Sequence, residues 1–266
     1  MSSDKKIGKK IGTHTVCGPP PVLIREDETL DTFYRGRVLV LQRKRGYRFA
    51  LDAPLLADFI RTRRTDELLE LGTGSGIISL LVGLRPTGPI TAVEIQPALA
   101  DIARRNVTIN RMDGRITVVR RDFRTYRRRK KFDIVFANPP YIRKRTGFLS
   151  ATAEKSVAKH ELKCDIVEVM RATARLLKKG GRAYFVYPAR RREDLETAAR
   201  ACGLHLHAVR HVHPRPGAEA NLFLAECAFA AKEGRVLPPL VLYDDRGGTS
   251  AETRRIFEGR NRGPAH

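Results

Sequence analysis

The chain has 266 residues, 42% of them hydrophobic, enough to bury one large core with modest additions at its ends. Lysine and arginine number 51 against 29 aspartate and glutamate, a net charge of +22 that suits a polyanionic partner. No run of about 18 apolar residues occurs and no apolar stretch follows the basic N-terminus, so neither a membrane helix nor a signal peptide is expected, and the cytoplasm is. The four cysteines, Cys17, Cys164, Cys202 and Cys227, are widely spaced, which predicts reduced thiols without disulfides or structural metal.

Residues 1–29 carry lysines and three consecutive prolines with little periodicity, and are expected to form a basic, flexible arm. Residues 30–60 predict a hairpin and a helix. The stretch Thr32 to Gln42 reads as a strand, Arg43 to Gly46 as a turn and Tyr47 to Phe49 as the return, before Asp52 caps the short helix APLLADFI. From residue 61 to 232 the pattern is strand, turn, helix, repeated. ELLEL (67–71), ITAVEI (90–95), ITVVR (116–120), FDIVFA (132–137) and GRAYFVY (181–187) are strands; helices are expected over 77–84, 97–110 and 164–177. Such alternation predicts an α/β domain with a parallel sheet covered on both faces. LHLHAVRHVH (204–213) and NLFLAECAFA (221–230), joined by a Pro/Gly loop, read as an antiparallel pair closing that sheet. The C-terminal extension, 233–266, holds an extended PLVLY and a short helix near 252–257.

Glu70-Leu71-Gly72-Thr73-Gly74-Ser75-Gly76 follows the first core strand and opens a helix, where glycines let the backbone turn tightly and approach a ligand. Eighteen residues after Gly76, Glu94 ends the second strand, where a carboxylate can accept both hydroxyls of a ribose, with Ile95 beside it. The spacing Gly-x-Gly-x-Gly, rather than Gly-x-Gly-x-x-Gly, favours S-adenosylmethionine over a nicotinamide dinucleotide. Asp122 after the third strand is either an acceptor for the adenine amino group, with Phe123 beside the ring, or a helix cap. The fourth strand ends in Asn138-Pro139-Pro140-Tyr141. An amino group conjugated to a nucleobase is a poor nucleophile; the Asn138 side-chain oxygen and the Pro139 carbonyl can hold both of its hydrogens while Tyr141 stacks on the base and Pro140 stiffens the loop. Arg143, Lys144 and Arg145 follow at once and suit phosphate. His205, His207, His211 and His213 share one strand face by parity, which reads as a polar face rather than a metal site. His160-Glu161 reads as a helix start, and Arg127 to Lys131 as a charge run that contacts phosphate or merely faces solvent.

GYRFALDAPLLADF (46–59), the glycine and AVEIQ segments, NPPYIR, KHE (159–161), GGRAYFVYP and the late PPLVLYDDRG resemble the bacterial valine-tRNA adenine-N(6) methyltransferases over about residues 31–259. The resemblance implies a Rossmann-like class I methyltransferase fold with a seven-stranded, mostly parallel sheet ending in an antiparallel hairpin. It implies the glycine loop, Glu70, Gly72, Thr73, Gly74 and Gly76, with Glu94 at S-adenosylmethionine, and Asn138 to Tyr141 at the adenine amino group of a tRNA; Ile95, Asp122, Phe123 and Asn138 are the further cofactor-site candidates. Tyr47, Phe49 and Asp52 would roof the pocket. A monomer or homodimer acting on RNA without metal or membrane is the expectation.

Other readings share these motifs. Release-factor glutamine methyltransferases carry Asn-Pro-Pro-Tyr, but the N-terminal segment reads here as arm plus hairpin rather than a helical domain, and +22 suits RNA better. Ribosomal RNA and DNA amino-methyltransferases share the chemistry. A non-enzymatic RNA-binding protein on the same fold is disfavoured by a competent residue at every site position.

Overall fold

The structure is a computed structural model that describes residues 23–44, 51–139 and 165–260. In chain order the described elements are β1 (Glu28–Phe33), β2 (Val38–Arg43), α1 (Asp52–Phe59), β3 (Leu68–Leu71), α2 (Ile77–Gly83), β4 (Ile90–Glu94), α3 (Pro97–Ile109), β5 (Ile116–Arg120), β6 (Phe132–Ala137), α4 (Ile166–Leu176), β7 (Leu177–Pro188), a 3-10 turn (Ala189–Arg191), α5 (Arg192–Ala201), β8 (His205–His213), β9 (Leu222–Ala228), β10 (Arg235–Val241) and α6 (Ala251–Phe257).

Among the described residues the main sheet has eight strands in the order β10-β8-β9-β7-β6-β3-β4-β5. β3, β4, β5, β6 and β7 are mutually parallel, and β9 runs antiparallel to both β7 and β8. The α/β class, the parallel core and the antiparallel pair agree with the sequence reading. The eighth strand does not: PLVLY was read only as extended, yet Arg235–Val241 pairs parallel with β8. β10 is irregular between Leu237 and Leu240, where Pro238 and Pro239 have no N–H for a ladder, and it lies at the sheet edge, which prolines tolerate.

Two apolar layers cover the sheet. Leu55, Leu56, Ile60, Leu80 and Val107 belong to one core with Phe136 and Tyr184; Val169, Met170, Leu195 and Ala199 belong to the other with Val135 and Phe185. Thus α1, α2 and α3 pack on one face and α4 and α5 on the other, because alternate residues of each strand point to opposite sides.

The N-terminal hairpin differs from its sequence reading. Thr32 to Gln42 is not one strand: β1 and β2 pair Phe33 with Val38, so the turn is Tyr34–Arg37 rather than 43–46. Tyr34, Arg35 and Gly36 all have positive φ, a left-handed turn that Gly36 makes accessible. Tyr47 and Phe49, read as the return strand, lie outside the described residues. β2 docks on α3 through two asparagines one helical turn apart. The Leu41 N–H donates to Asn106 Oδ1 at 2.6 Å and the Leu39 N–H to Asn110 Oδ1 at 2.9 Å, while Asn106 and Asn110 Nδ2 donate back to the Leu41 and Leu39 carbonyls. Four helical residues rise about 6 Å and two strand residues about 6.7 Å, so the two periodicities match here. The C-terminal helix closes over the hairpin and α1 through Arg35–Glu258 at 2.6 Å and Arg255–Asp58 at 3.3 Å.

Candidate active site

The chain passes from β3 outward through β4 to β5, then returns to lay β6 on the other side of β3. At such a reversal the loops leaving the two adjacent strands diverge and open a crevice at their C-terminal ends. The registers are Leu71 with Val93 and Glu70 with Phe136. Continued to the strand ends, they set Glu94, Gly72 and Asn138 level on three neighbouring strands. Strand spacing puts the outer two about 10 Å apart.

Gly72, Gly74 and Gly76 have φ of +70°, +58° and +85°. A side chain would strain each turn, and at Gly76 a Cβ would also lie 3.4 Å from that of Ala103 on α3. The loop is held from both sides. The Gly72 and Thr73 N–H groups donate to the Val93 carbonyl at 2.9 and 3.0 Å, and the Gly74 N–H to Glu94 Oε2 at 2.8 Å. From beneath, Glu70 accepts from Thr73 Oγ1 at 2.6 Å and from the Ser79 N–H and hydroxyl. Burial pushes the Glu70 carboxyl up to about 7 against these hydrogen bonds, with the neighbouring Glu94 adding to the rise. Glu70 and Thr73 therefore brace the loop.

Glu94 is buried, its Oε1 also accepting from the Gln96 N–H at 2.9 Å. Burial raises its carboxyl above the ordinary range, opposed by the backbone N–H groups of Gln96, Gly74 and Ile95. Three N–H donors leave the carboxylate acceptor capacity for a ligand hydroxyl. Ile95 is 40% exposed, one of few large apolar side chains left open to solvent. Ser75, which the motif reading passed over, has a buried hydroxyl with no hydrogen-bond partner among the described residues. Positive-φ glycines, an acceptor carboxylate, an open apolar side chain and an orphan hydroxyl together suit an adenosyl ligand.

Asp122 is paired with Arg124. Its carboxylate takes Arg124 Nε at 2.8 Å and the Arg124 N–H at 2.8 Å, which holds it below the usual range; a turn follows, so of the two sequence alternatives the helix cap has no helix to cap. Phe123 is half-buried against the second core layer, its carbonyl accepting from Arg175 at 2.8 Å.

Asn138 leaves β6 with its Nδ2 donating to Asp52 Oδ2 at 2.9 Å. Asp52 is the first residue of α1 and does not cap it: Leu51 stands at the cap position, and the other Asp52 oxygen accepts its neighbour's N–H, that of Ala53, at 3.1 Å. Asp52 and Asn138, apart by 86 positions, thus meet at the switch point. Pro140, Tyr141, Arg143, Lys144, Arg145, His160 and Glu161, like Cys17 and Cys164, lie outside the described residues.

The histidine face is broken. β8 bulges between Leu206 and Ala208, so His205 turns to the opposite side from His211 and His213. No group of three or more His, Cys, Asp or Glu side chains among the described residues is placed to hold a metal. Within Arg127–Lys131, Arg128 and Lys130 pair with Glu67 at the edge of the sheet opposite the glycine loop. No helix among the described residues is long and apolar enough to cross a membrane.

The family model for the methyltransferase small domain matches residues 48–197, more than half of the chain. A curated tRNA1(Val) (adenine(37)-N6)-methyltransferase of Bacteroides thetaiotaomicron is 32% identical over 67% of this chain and 75% of its own length. Its counterpart from Phocaeicola vulgatus is 31% identical over 65% and 72%. Among solved structures, a predicted O-methyltransferase, Atu636 from Agrobacterium tumefaciens, superposes with TM-score 0.60 at 20% identity over 79% of this chain and 96% of that one. M. jannaschii TYW2 in complex with AdoMet gives 0.52 at 17% over 78% and 89%. These likenesses show the fold. With the glycine loop, Glu94 and Asn138 at one switch point, and the family model and relatives in agreement, the chain belongs to the methyltransferase small domain family and groups with the tRNA1(Val) (adenine(37)-N6)-methyltransferases.

Proposed function

We propose that the protein methylates N6 of an adenosine in RNA, with the position-37 adenosine of tRNA1(Val) as its substrate. The observation that carries this reading is the placement of Asn138 level with the glycine loop and Glu94, so that an amino-group holder and an adenosyl site face one crevice. S-adenosylmethionine, when bound, supplies a methyl group on a positive sulfonium and needs no metal to activate it. Glu94 holds the ribose hydroxyls, Ile95 covers the adenine face, and the glycine loop with Ser75 accommodates the remainder. Asn138 Oδ1 and the Pro139 carbonyl accept the two amino hydrogens, which aligns the nitrogen lone pair with the incoming methyl; the surplus proton leaves to water after transfer. Tyr141 stacks on the extracted base, Tyr47 and Phe49 close over it, and Arg143, Lys144 and Arg145 bind flanking phosphates.

The catalytic rim favours RNA over a protein substrate. Arg120 and Arg121 end β5, Arg190 follows β7, Arg215 follows β8 and Arg246 follows β10, all at the glycine-loop edge. All five are exposed and none has an ion-pair partner among the described residues. Arg63, Arg64, Arg129 and Lys131 at the other edge likewise have no ion-pair partner among the described residues, so it is the reacting residues, not the charge, that select the face.

The test is transfer of labelled methyl from S-adenosylmethionine to unmodified tRNA, ribosomal RNA, duplex DNA and release factor, with nucleoside analysis of the labelled product. N6-methyladenosine in tRNA, lost in Asn138→Ala, is expected. Label in release factor or DNA instead would overturn the assignment, as would cofactor binding without transfer to any of the four.

A further inference from the structure

Asn138 can present two faces. An amide turned by 180° exchanges a carbonyl oxygen for an NH2 at nearly the same point, and only the oxygen can accept a hydrogen bond from another amino group. Placed the wrong way, Asn138 would point donors at donors. What sets the flip is the group on its other side, and that group is the Asp52 carboxylate, 2.9 Å from Asn138 Nδ2. A carboxylate offers acceptors alone, so the opposite flip would bring two oxygens into contact.

Asp52 is well placed for such a task. It is only 7% exposed, and its second oxygen is held by the Ala53 N–H of the same helix turn. α1 behind it is rigidly seated: Ala53, Pro54, Leu55, Leu56 and Ala57 are buried, and Phe59 meets Tyr184 of β7 edge-to-face at 5.8 Å between ring centres. The helix preceding the glycine-loop unit is thereby tied to the reacting end of β6.

We propose that Asp52 is a positioning residue that locks the Asn138 amide with its carbonyl oxygen toward the amino group to be methylated, a role resting on the proposed function of Asn138. Asp52 acts through Asn138 and need not touch substrate.

Single-turnover methylation of unmodified tRNA by the full chain tests this in four proteins: wild type, Asp52→Ala, Asn138→Ala and the double variant. Cofactor dissociation constants from calorimetry and thermal midpoints from circular dichroism are taken alongside. Asp52→Ala is expected to slow transfer roughly ten- to a hundredfold, the scale of a misoriented reacting group, while the cofactor constant stays within about twofold. In the Asn138→Ala background, removing Asp52 is expected to cost no more than about a further twofold, since the group it orients is gone. Asp52→Asn keeps an acceptor oxygen but can also turn an NH2 toward Asn138. It should therefore fall between wild type and alanine at an unchanged thermal midpoint.

A wild-type rate in Asp52→Asn and Asp52→Ala, an Asp52→Ala loss as large in the Asn138→Ala background, or a cofactor constant weakened in step with the rate would each overturn the proposal. If Asp52→Ala does not fold, the rate of Asp52→Asn decides. A wild-type rate in Asn138→Ala would instead remove the underlying reading of Asn138.

Discussion

Replacing Asn106 by alanine should be among the most damaging single changes in the chain outside the candidate site. Asn106 is fully buried on α3 and makes three hydrogen bonds to backbone: from the Leu41 N–H at 2.6 Å, to the Leu41 carbonyl at 3.1 Å and to the Ser75 carbonyl at 2.8 Å. Alanine leaves all three backbone groups without their partner. At about 1–3 kcal/mol for each buried group left unsatisfied, partly relieved by water entering the space, the loss should be about 3–5 kcal/mol. That is a large share of the roughly 5–15 kcal/mol by which a domain is stable. Asn110→Ala is the internal control. Asn110 also makes three bonds, at 2.9, 2.7 and 2.7 Å, but is half-buried, so water can replace them at about 1–2 kcal/mol. The chain has no tryptophan, so urea unfolding is best followed by circular dichroism, with the denaturant slope checked for constancy. Because Ser75 belongs to the glycine loop, Asn106→Ala should also weaken S-adenosylmethionine binding, whereas Asn110→Ala should not. A loss under about 1 kcal/mol at Asn106, or an equal loss at the two sites, would refute this account of buried backbone satisfaction.

Two further outcomes can be measured. The Glu70 carboxyl titrates near 7 in the folded protein against 4.5 in the unfolded chain, so the native state holds its proton more tightly. The stabilisation of the protonated form is whole below pH 4.5 and lost as pH rises through 7, about 3 kcal/mol in all. The difference in thermal midpoint between wild type and Glu70→Gln should therefore drift across pH 5–8 and be flat above it; a difference independent of pH would contradict the assignment. Arg190→Ala, Arg215→Ala and Arg246→Ala should each raise KM for tRNA with little change in kcat, and should each reduce the salt slope of binding by about 1. Unchanged KM and slope in the triple variant would move the RNA to another face.

Much of the candidate site could be proposed from the sequence because its parts are local. The alternation of short apolar strands with helical segments, the glycine turn closing ELLEL, and Glu94 and Asn138 at strand ends are each written within a few residues of one another. Several local readings failed for reasons that are also physical. The hairpin turn was placed at the polar Arg43–Gly46 although Gly36 and two left-handed neighbours carry it, because Thr32–Gln42 is rich in strand formers throughout. Asp52 resembled a helix cap in composition, whereas its carboxylate reaches across to Asn138. The histidines of β8 were placed on one face by parity, and one bulge residue reverses that parity.

The sequence by itself determined the α/β class and the order of elements and supplied the candidate site residues, since periodicity, turn residues and motif spacing are properties of neighbouring positions. Tertiary structure alone decided which strands lie side by side, that β10 joins as an eighth strand among the described residues, that Asn106 and Asn110 pair with an edge strand, and that Asp52 meets Asn138. The side-chain partners among these lie between 65 and 86 positions apart, and each is selected by the burial of backbone and amide groups once the sheet has formed. No local pattern encodes such a choice.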